Sequence, residues 1–184
     1  PHDFDGKYSW ATAVQDIELG RCEVGPLARQ LMADGPSAGP WQRTDGFVRD
    51  CYKKLGGASV HLRQLARVHE LAAVYREIER NLRALRLSEP FYEKPTVRDG
   101  QGWGATEAAR GALAHWISVK DNKIENYQII APTTWNFSPR SADGVPGPLE
   151  QALIGTSVEP GETVPLAVQH VVRSFDPCMS CTVH

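Results

Sequence analysis

The sequence predicts a mainly α-helical fold with a small β-hairpin, an α+β arrangement. Apolar residues recur at helical spacing through residues 47–87, which is the strongest periodic pattern in the chain. Residues 112–131 instead alternate apolar and polar side chains on either side of a polar turn at 120–123, as hairpins do. The chain has 184 residues, 41% of them hydrophobic, which is enough for one domain with a core.

The first half of the chain contains one short helix and one long helical region. Residues 1–46 are mostly irregular, with turn-forming residues at 34–40 and a predicted helix at 24–31. Gly56 and Gly57 interrupt the helical region, so we expect two helices there, or one that is broken. The positions at helical spacing are Leu62, Leu65, Ala66, Val68, His69, Leu71, Ala72, Tyr75, Ile78, Leu82 and Leu85.

The predicted hairpin follows the end of this helical region. Pro90 and Pro95 end the helix, and a glycine-rich stretch at 100–104 leads towards the hairpin. The two strands cover residues 112–119 and 124–131. Their alternation predicts that one face of the strands is covered.

Two further helices are predicted near the end of the chain. The first covers residues 149–154 and the second residues 163–174. Thr163 is a plausible N-cap of the last helix, and Pro165 lies in its first turn. This helix would direct the residues that follow it into the body of the protein.

Charge and hydropathy exclude two classes of partner. The net charge is −2, which argues against a dedicated nucleic-acid or anionic-membrane binder. No apolar run approaches the ~20 residues that cross a bilayer, and no secretory signal is visible. Because the chain opens on Pro1, we expect it to be processed or part of something larger. Charges of both signs are interleaved along the helical region, which predicts a solvated or interface surface: Arg63, Arg67, Glu70, Arg76, Glu77, Glu79, Arg80, Arg83 and Arg86.

The last nine residues carry the clearest chemical signal, Asp-Pro-Cys-Met-Ser-Cys-Thr-Val-His. Cys178 and Cys181 can present two thiolates to one soft metal, and His184 adds a nitrogen ligand. Cys22 and Cys51 are expected to be small buried residues. The four cysteines are too few and too unevenly spread for a disulfide framework.

The familiar uses of a Cys-x-x-Cys pair fit this one poorly. Structural zinc needs four ligands, and covalent haem attachment needs a histidine directly after the second cysteine. A thioredoxin-like redox pair lies early in a βαβ unit rather than at a chain end. The pair therefore resembles half of a metal site.

Several motifs in order give the chain a resemblance to a known family. It resembles the C-terminal part of the large subunit of nickel–iron hydrogenases of the uptake or sensory type. The implied fold is the C-terminal part of the helical large-subunit fold, with residues 1–184 belonging to one catalytic domain. The N-terminal part, with the first Cys-x-x-Cys pair, is not in this chain. The motifs lie at residues 8–10, 23–29, 107–116, 125–128, 132–136 and 176–184.

The resemblance implies the metals and their ligands. Nickel is held by two Cys-x-x-Cys pairs, with Cys178 as a terminal ligand and Cys181 bridging to an iron that carries carbon monoxide and cyanide. A nearby Mg²⁺ is bound with help from His184 and the backbone carbonyl of Ile129. Soft thiolates suit nickel and can bridge two metals.

Other site residues follow from the same resemblance. Arg110 hangs over the open coordination position, Asp176 orients this arginine, and Thr133 donates to a cyanide. His115 lies near the centre or is a satisfied core histidine. The family's usual Ala-Pro-Arg-Gly motif has alanine at its second position here, Ala109.

The implied activity is reversible heterolytic cleavage of H2 to protons and electrons. Either Cys178 or Arg110 could receive the proton. The implied partners are the N-terminal part of the large subunit and an iron–sulfur small subunit, with any membrane contact indirect. We expect a cytoplasmic location, with a periplasmic one as the alternative. Two other functions stay open: a slow hydrogen sensor, and a non-catalytic zinc module built on Cys178, Cys181 and His184.

Overall fold

A computed structural model describes residues 14–32 and 46–182. The described residues form seven helices and a three-stranded sheet. The first helices come before the sheet, and four short helices follow it. In chain order the elements are α1 (Pro26–Leu31), α2 (Phe47–Leu55), α3 (Val60–Ala84), β1 (Gly100–Ala108), β2 (Gly111–Lys120), β3 (Lys123–Ile130), α4 (Pro132–Asn136), α5 (Pro148–Leu153), α6 (Leu166–Ser174) and α7 (Met179–Thr182).

The core lies where α1, α2 and the first half of α3 meet. Leu27, Val48, Leu62 and Ala66 form one buried cluster. Leu62 and Ala66 are four residues apart, so both point from the same face of α3. Fixing this face of α3 against α1 places the end of α1 next to the site described below.

The predicted break between α2 and α3 is confirmed. Gly56 and Gly57 have φ angles of 73° and 147°, a region that only glycine adopts easily. Ser59 then caps α3, its side chain accepting a hydrogen bond from the Leu62 N–H. This type of N-cap stabilises a helix by about 1 kcal/mol.

The second half of α3 keeps the apolar pattern but does not bury it. Val68, Leu71, Tyr75, Ile78 and Leu82 are between 53% and 72% exposed. No part of the described chain covers them. The predicted long apolar face of this helix is thus buried only in its first half, and the second half remains open for another surface.

The sheet is larger and more open than predicted. The predicted hairpin is β2 and β3, and the glycine-rich stretch forms a third antiparallel strand, in the order β1-β2-β3. All of β1 except Ala108 and all of β3 except Ile130 are exposed. The expectation of a covered face is wrong for β3, because no layer of the described chain packs on it, whereas most of β2 is partly buried.

The helices after the sheet differ from prediction at their starts. A short helix, α4, begins at Pro132, where only the end of a strand was predicted. The prediction of Thr163 as an N-cap is wrong: α6 begins at Leu166, whose N–H is bound by the Glu162 carboxylate at 2.8 Å. The predicted helix at 149–154 is confirmed as α5. Among the described residues, no helix is both long enough and apolar enough to cross a membrane.

Candidate metal centre

Cys178 and Cys181 lie side by side in the last described turn. Both are free thiols and partly buried, and the Cys181 N–H donates to the Cys178 carbonyl at 3.0 Å. The hydrogen bond from the Cys181 thiol lowers the pKa of Cys178, with backbone N–H groups and the charge of Arg110 adding to the effect. Burial and the neighbouring Cys178 sulfur raise the pKa of Cys181. Cys178 is therefore the thiol of the pair that ionises more readily.

The turn that presents the cysteines is fixed at both of its ends. Asp176 follows α6 with a φ of 52°, and its N–H donates to the Arg173 carbonyl at 3.0 Å. Asp and Asn tolerate this left-handed conformation better than most residues. The Cys178 N–H donates to Thr133 Oγ1 at 3.1 Å, and Thr133 is 3% exposed. The turn is thus anchored to α6 on one side and to α4 on the other.

Arg110 lies in the tight turn between β1 and β2 and meets the cysteine turn. Its Nε donates to the Asp176 carbonyl at 3.0 Å and lies 3.4 Å from Asp176 Oδ2. The side chains of Arg110 and Asp176 are 44% and 40% exposed. The guanidinium charge contributes to the lowered pKa of Cys178 and partly opposes the raised pKa of Cys181. The charge of Arg110 therefore favours the thiolate form of both cysteines.

Beneath Arg110 lies a buried charged cluster that the sequence analysis missed. Arg29 is 8% exposed and forms a two-pronged ion pair with Glu70, at 2.7 and 2.8 Å. A third donor binds Glu107 at 2.6 Å. Burial lowers the pKa of Arg29, but its hydrogen bonds to the two carboxylates more than offset this and raise it.

A signal for this cluster was present in the sequence. Glu70 follows Leu62 and Ala66 at intervals of four residues, which places it on the buried face of α3. An acidic residue on a buried face needs a cationic partner. The prediction that the charges of this helix are solvated is wrong for Glu70 and for Arg63, which are 7% and 6% exposed.

The segment before α1 packs directly against the Arg110 turn. Asn136 holds Val24 from both sides, accepting from its N–H and donating to its carbonyl, each at 2.9 Å. Gly111 has a φ of 134°, and a Cβ there would lie 2.6 Å from Val24 Cγ2 and 2.8 Å from Gly25 N. Only glycine fits at position 111, so the turn and the segment meet backbone to backbone.

Two other predicted site residues lie together on the sheet. His115 on β2 is paired in register with Ile129 on β3, and its ring hydrogen-bonds the Tyr127 hydroxyl. The Ile129 carbonyl accepts from the Gln128 side chain at 3.2 Å. The contacts described for His115 and Ile129 join them to the sheet rather than to the cysteine turn. His184, the remaining predicted ligand, lies outside the described residues.

The described donor set is half of a soft-metal site. Within residues 14–32 and 46–182 no three His, Cys, Asp or Glu side chains are grouped as a metal cage. Two adjacent thiols beside a fixed cation nevertheless suit nickel or iron, which prefer thiolate ligands and can take further ligands from elsewhere. The residues present therefore fit a thiolate-bound transition metal.

Comparison with known proteins shows the family to which the chain belongs. The model of the family described as nickel-dependent hydrogenase matches residues 2–184, and the chain belongs to this family. It is 36% identical to the periplasmic [NiFeSe] hydrogenase large subunit of Desulfomicrobium baculatum, over 99% of this chain and 36% of that protein. It is 35% identical to the uptake hydrogenase large subunit of Bradyrhizobium diazoefficiens, over 99% of this chain and 32% of that protein.

Solved structures confirm the fold. The [NiFeSe] hydrogenase of Desulfovibrio vulgaris Hildenborough in the reduced state superposes with a TM-score of 0.82 and 36% identity, over 99% of this chain and 39% of that chain. The predicted fold class, helical with a small antiparallel sheet and matching the C-terminal part of the hydrogenase large subunit, is confirmed. The chain spans about a third of the length of the curated relatives it matches.

Proposed function

We propose that this chain is the C-terminal part of the catalytic domain of a nickel–iron hydrogenase, which reversibly cleaves H2 into protons and electrons. The observation that carries the proposal is the thiol pair of Cys178 and Cys181 beside Arg110, in a chain matched over residues 2–184 to nickel-dependent hydrogenases. A nickel–iron pair, with carbon monoxide and cyanide on the iron, supplies the polarisation of H2 and collects its electrons.

The two cysteines have different roles in this proposal. Cys178 would hold nickel as a terminal ligand, and Cys181 would be a ligand shared by nickel and iron. The lowered pKa of Cys178 favours the thiolate that a metal needs. Between the two candidate proton acceptors, the Cys178 sulfur is the better base, because an arginine guanidinium stays charged and keeps its protons in proteins.

Arg110 and Thr133 orient the surroundings of the metals. Arg110 is held by the main chain and the carboxylate of Asp176, and its charge acts on both thiols of the cysteine turn. A cation that is already held in place does not have to be reoriented during the reaction, so no free energy is spent on moving it. Thr133 accepts the Cys178 N–H, which leaves its own hydroxyl hydrogen for a cyanide nitrogen.

His115 and Ile129 complete the proposed surroundings of the site. They are neighbours in the sheet, and the Ile129 carbonyl, with His184, is the proposed part of a Mg²⁺ site. Carbonyl oxygen suits Mg²⁺. His115 is proposed as an outer group that acts on the centre through its hydrogen bonds.

The open surfaces support a larger assembly. The exposed apolar half of α3 needs a cover, and the two missing thiolates of a nickel site need a second Cys-x-x-Cys pair. Both needs are met by the N-terminal part of the large subunit. With four cysteines in all, two of them in the cysteine turn, the chain cannot hold iron–sulfur clusters of its own. An iron–sulfur small subunit is the proposed electron acceptor.

Metal content and turnover test this proposal together. The complete large subunit, purified with its small subunit, should contain nickel and iron and should reduce an artificial electron acceptor under H2. Zinc in place of both metals would overturn the proposal in favour of a zinc module. A turnover far below that of uptake enzymes would indicate a sensor instead; the relatives named as uptake hydrogenase and as periplasmic hydrogenase support the enzyme.

Location needs its own experiment. The cytoplasmic location predicted from the sequence stays a prediction, and the periplasmic relative supports the alternative. Separation of periplasmic and cytoplasmic fractions, each assayed for the large subunit by antibody, decides between them.

A further inference from the structure

The Arg29 cluster grips the main chain directly before Arg110. Besides its carboxylate partners, Arg29 donates to the Ala108 carbonyl through Nη1 and to the Ala109 carbonyl through Nη2, each at 3.0 Å. These are the two residues that precede Arg110. The planar guanidinium of Arg29 therefore fixes two successive peptide groups of the β1–β2 turn from the side of the core.

We infer that Arg29 is a positioning residue, which sets where the Arg110 guanidinium lies over the cysteine turn. The inference rests on the proposed role of Arg110. The turn is held from two directions, by Arg29 from the core and by Asp176 from the cysteine side. Gly25 closes a third direction, because a Cβ there would lie 3.0 Å from the Arg110 carbonyl oxygen.

The chemistry of arginine explains why this residue type is needed. Its planar group offers five N–H donors in a rigid fork, whereas lysine offers three on one freely rotating nitrogen. At this site the fork serves Glu70, Glu107 and two carbonyls at once. A lysine could keep the charge opposite Glu70 but could not hold both carbonyls.

Burial makes the hydrogen bonds of Arg29 hard to exchange for bonds to water. Arg29 is 8% exposed and Glu70 7%, so water cannot easily replace a lost contact. A loosened turn would displace Arg110, since its side chain starts one residue after the gripped carbonyls. Displacements of about 1 Å in a positioned group can lower turnover about a hundredfold.

The experiment uses the assembled hydrogenase and two matched variants. Arg29→Lys keeps the buried charge and loses the fork. Arg63→Lys is the control, because Arg63 is equally buried and also forms a two-pronged ion pair, but with Glu23. Nickel and iron content, turnover per nickel and hydrogen exchange of residues 108–112 are measured for each, and for Arg29→Lys combined with Arg110→Lys.

We expect metal-loaded Arg29→Lys to turn over about tenfold more slowly and to exchange faster at residues 108–112, with neither change in Arg63→Lys. In the Arg110→Lys background, Arg29→Lys should cause no further loss. Full turnover with unchanged exchange, or an equal loss in both backgrounds, would overturn the inference. Normal turnover of Arg110→Lys alone would instead contradict the proposed role of Arg110.

A milder variant covers the case in which Arg29→Lys does not assemble. Glu107 is 42% exposed, so Glu107→Gln weakens the cluster without stranding a buried charge. Its turnover should fall about threefold, the worth of one weakened charged hydrogen bond, and the loss should vanish in the Arg110→Lys background. Unchanged turnover and unchanged exchange at residues 108–112 in this variant would reject the positioning role.

Discussion

Arg110 in the β1–β2 turn and Arg29, which holds this turn, have opposite surroundings. Arg29 is 8% exposed, with carboxylates and carbonyls on its donors. The Arg110 side chain is 44% exposed, and its hydrogen bond and ion pair within the described residues are both with Asp176. The supporting residue Arg29 is therefore fully surrounded by this chain, whereas the Arg110 side chain is left accessible to contacts from outside the described residues.

The energetics of the two regions differ for the same reason. Removing one partner of a buried ion pair strands a charge and costs about 3–5 kcal/mol. An exposed pair is screened by water and contributes about 0–1 kcal/mol. Changes in the Arg29 cluster should thus lower stability and also, through the β1–β2 turn, turnover, whereas changes around Arg110 should act mainly on turnover.

The largest effect is expected at the cysteine turn. Cys181→Ser removes the proposed bridging thiolate, and a neutral hydroxyl cannot replace it between two metals. We expect no nickel–iron centre and no H2-dependent activity, measured by elemental analysis and acceptor reduction. The control is Cys22→Ser, because the Cys22 thiol only donates to the Gly20 carbonyl and a hydroxyl can do the same. Intact nickel signals in Cys181→Ser would contradict the bridging role.

Glu70→Ala tests the buried side of the comparison. It removes the two-pronged ion pair of buried Arg29, and we expect a loss of about 3–5 kcal/mol in the free energy of unfolding. Denaturant titration of the complete large subunit measures it. The exposed pair of Arg83 and Glu79 provides the control, Glu79→Ala, which should change little. A loss below about 1 kcal/mol in Glu70→Ala would mean that water or Glu107 replaces the lost carboxylate.

Arg110→Lys tests the open side. Lysine keeps the positive charge but has no planar fork, so we expect metal loading to stay intact while turnover falls about a hundredfold. Nickel content and steady-state H2 oxidation are the measurements. Normal activity in a fully loaded variant would remove Arg110 from the mechanism.

The smallest effect is expected at Thr133, which holds the cysteine turn to α4. Thr133→Val removes the acceptor of the Cys178 N–H, a loss of about 1 kcal/mol in the stability of the turn. We expect a lower unfolding midpoint and faster nickel loss to a chelator. Thr133→Ser keeps the hydroxyl and should behave like the natural protein. If serine and valine behave alike, the hydroxyl has no role in holding Cys178.

Local pattern predicted the helical elements well. The break at Gly56 and Gly57 follows from their positive φ angles, and helices at 24–31 and 149–154 appear within one or two residues of their predicted bounds. Strand β1 was missed because glycines at alternate positions weaken the strand pattern. Its backbone nevertheless pairs along the full length of β2.

The sequence predicts only those site residues that lie within the motifs shared with the family. Five of the site residues that the resemblance predicts meet at the cysteine turn: Arg110, Asp176, Thr133, Cys178 and Cys181. The supporting contacts were not named, because they join residues far apart in the chain and use main-chain atoms.

Arg29 illustrates that limit best. Its partners lie 41 and about 80 positions further along the chain. Neither helical nor strand periodicity connects residues over such separations. Only the spacing of Glu70 on a buried face of α3 offered a local clue.

The grip of Arg29 on main-chain oxygens also bears on how this family can vary. Every amino acid supplies a carbonyl, so alanine at position 109 and the proline of the usual motif offer Arg29 the same acceptor. Neither residue needs an N–H for this contact. The side chain at position 109 can therefore vary even though Arg29 holds the main chain firmly at this position. An alignment column that varies at 109 would conceal one of the tightest contacts in the molecule.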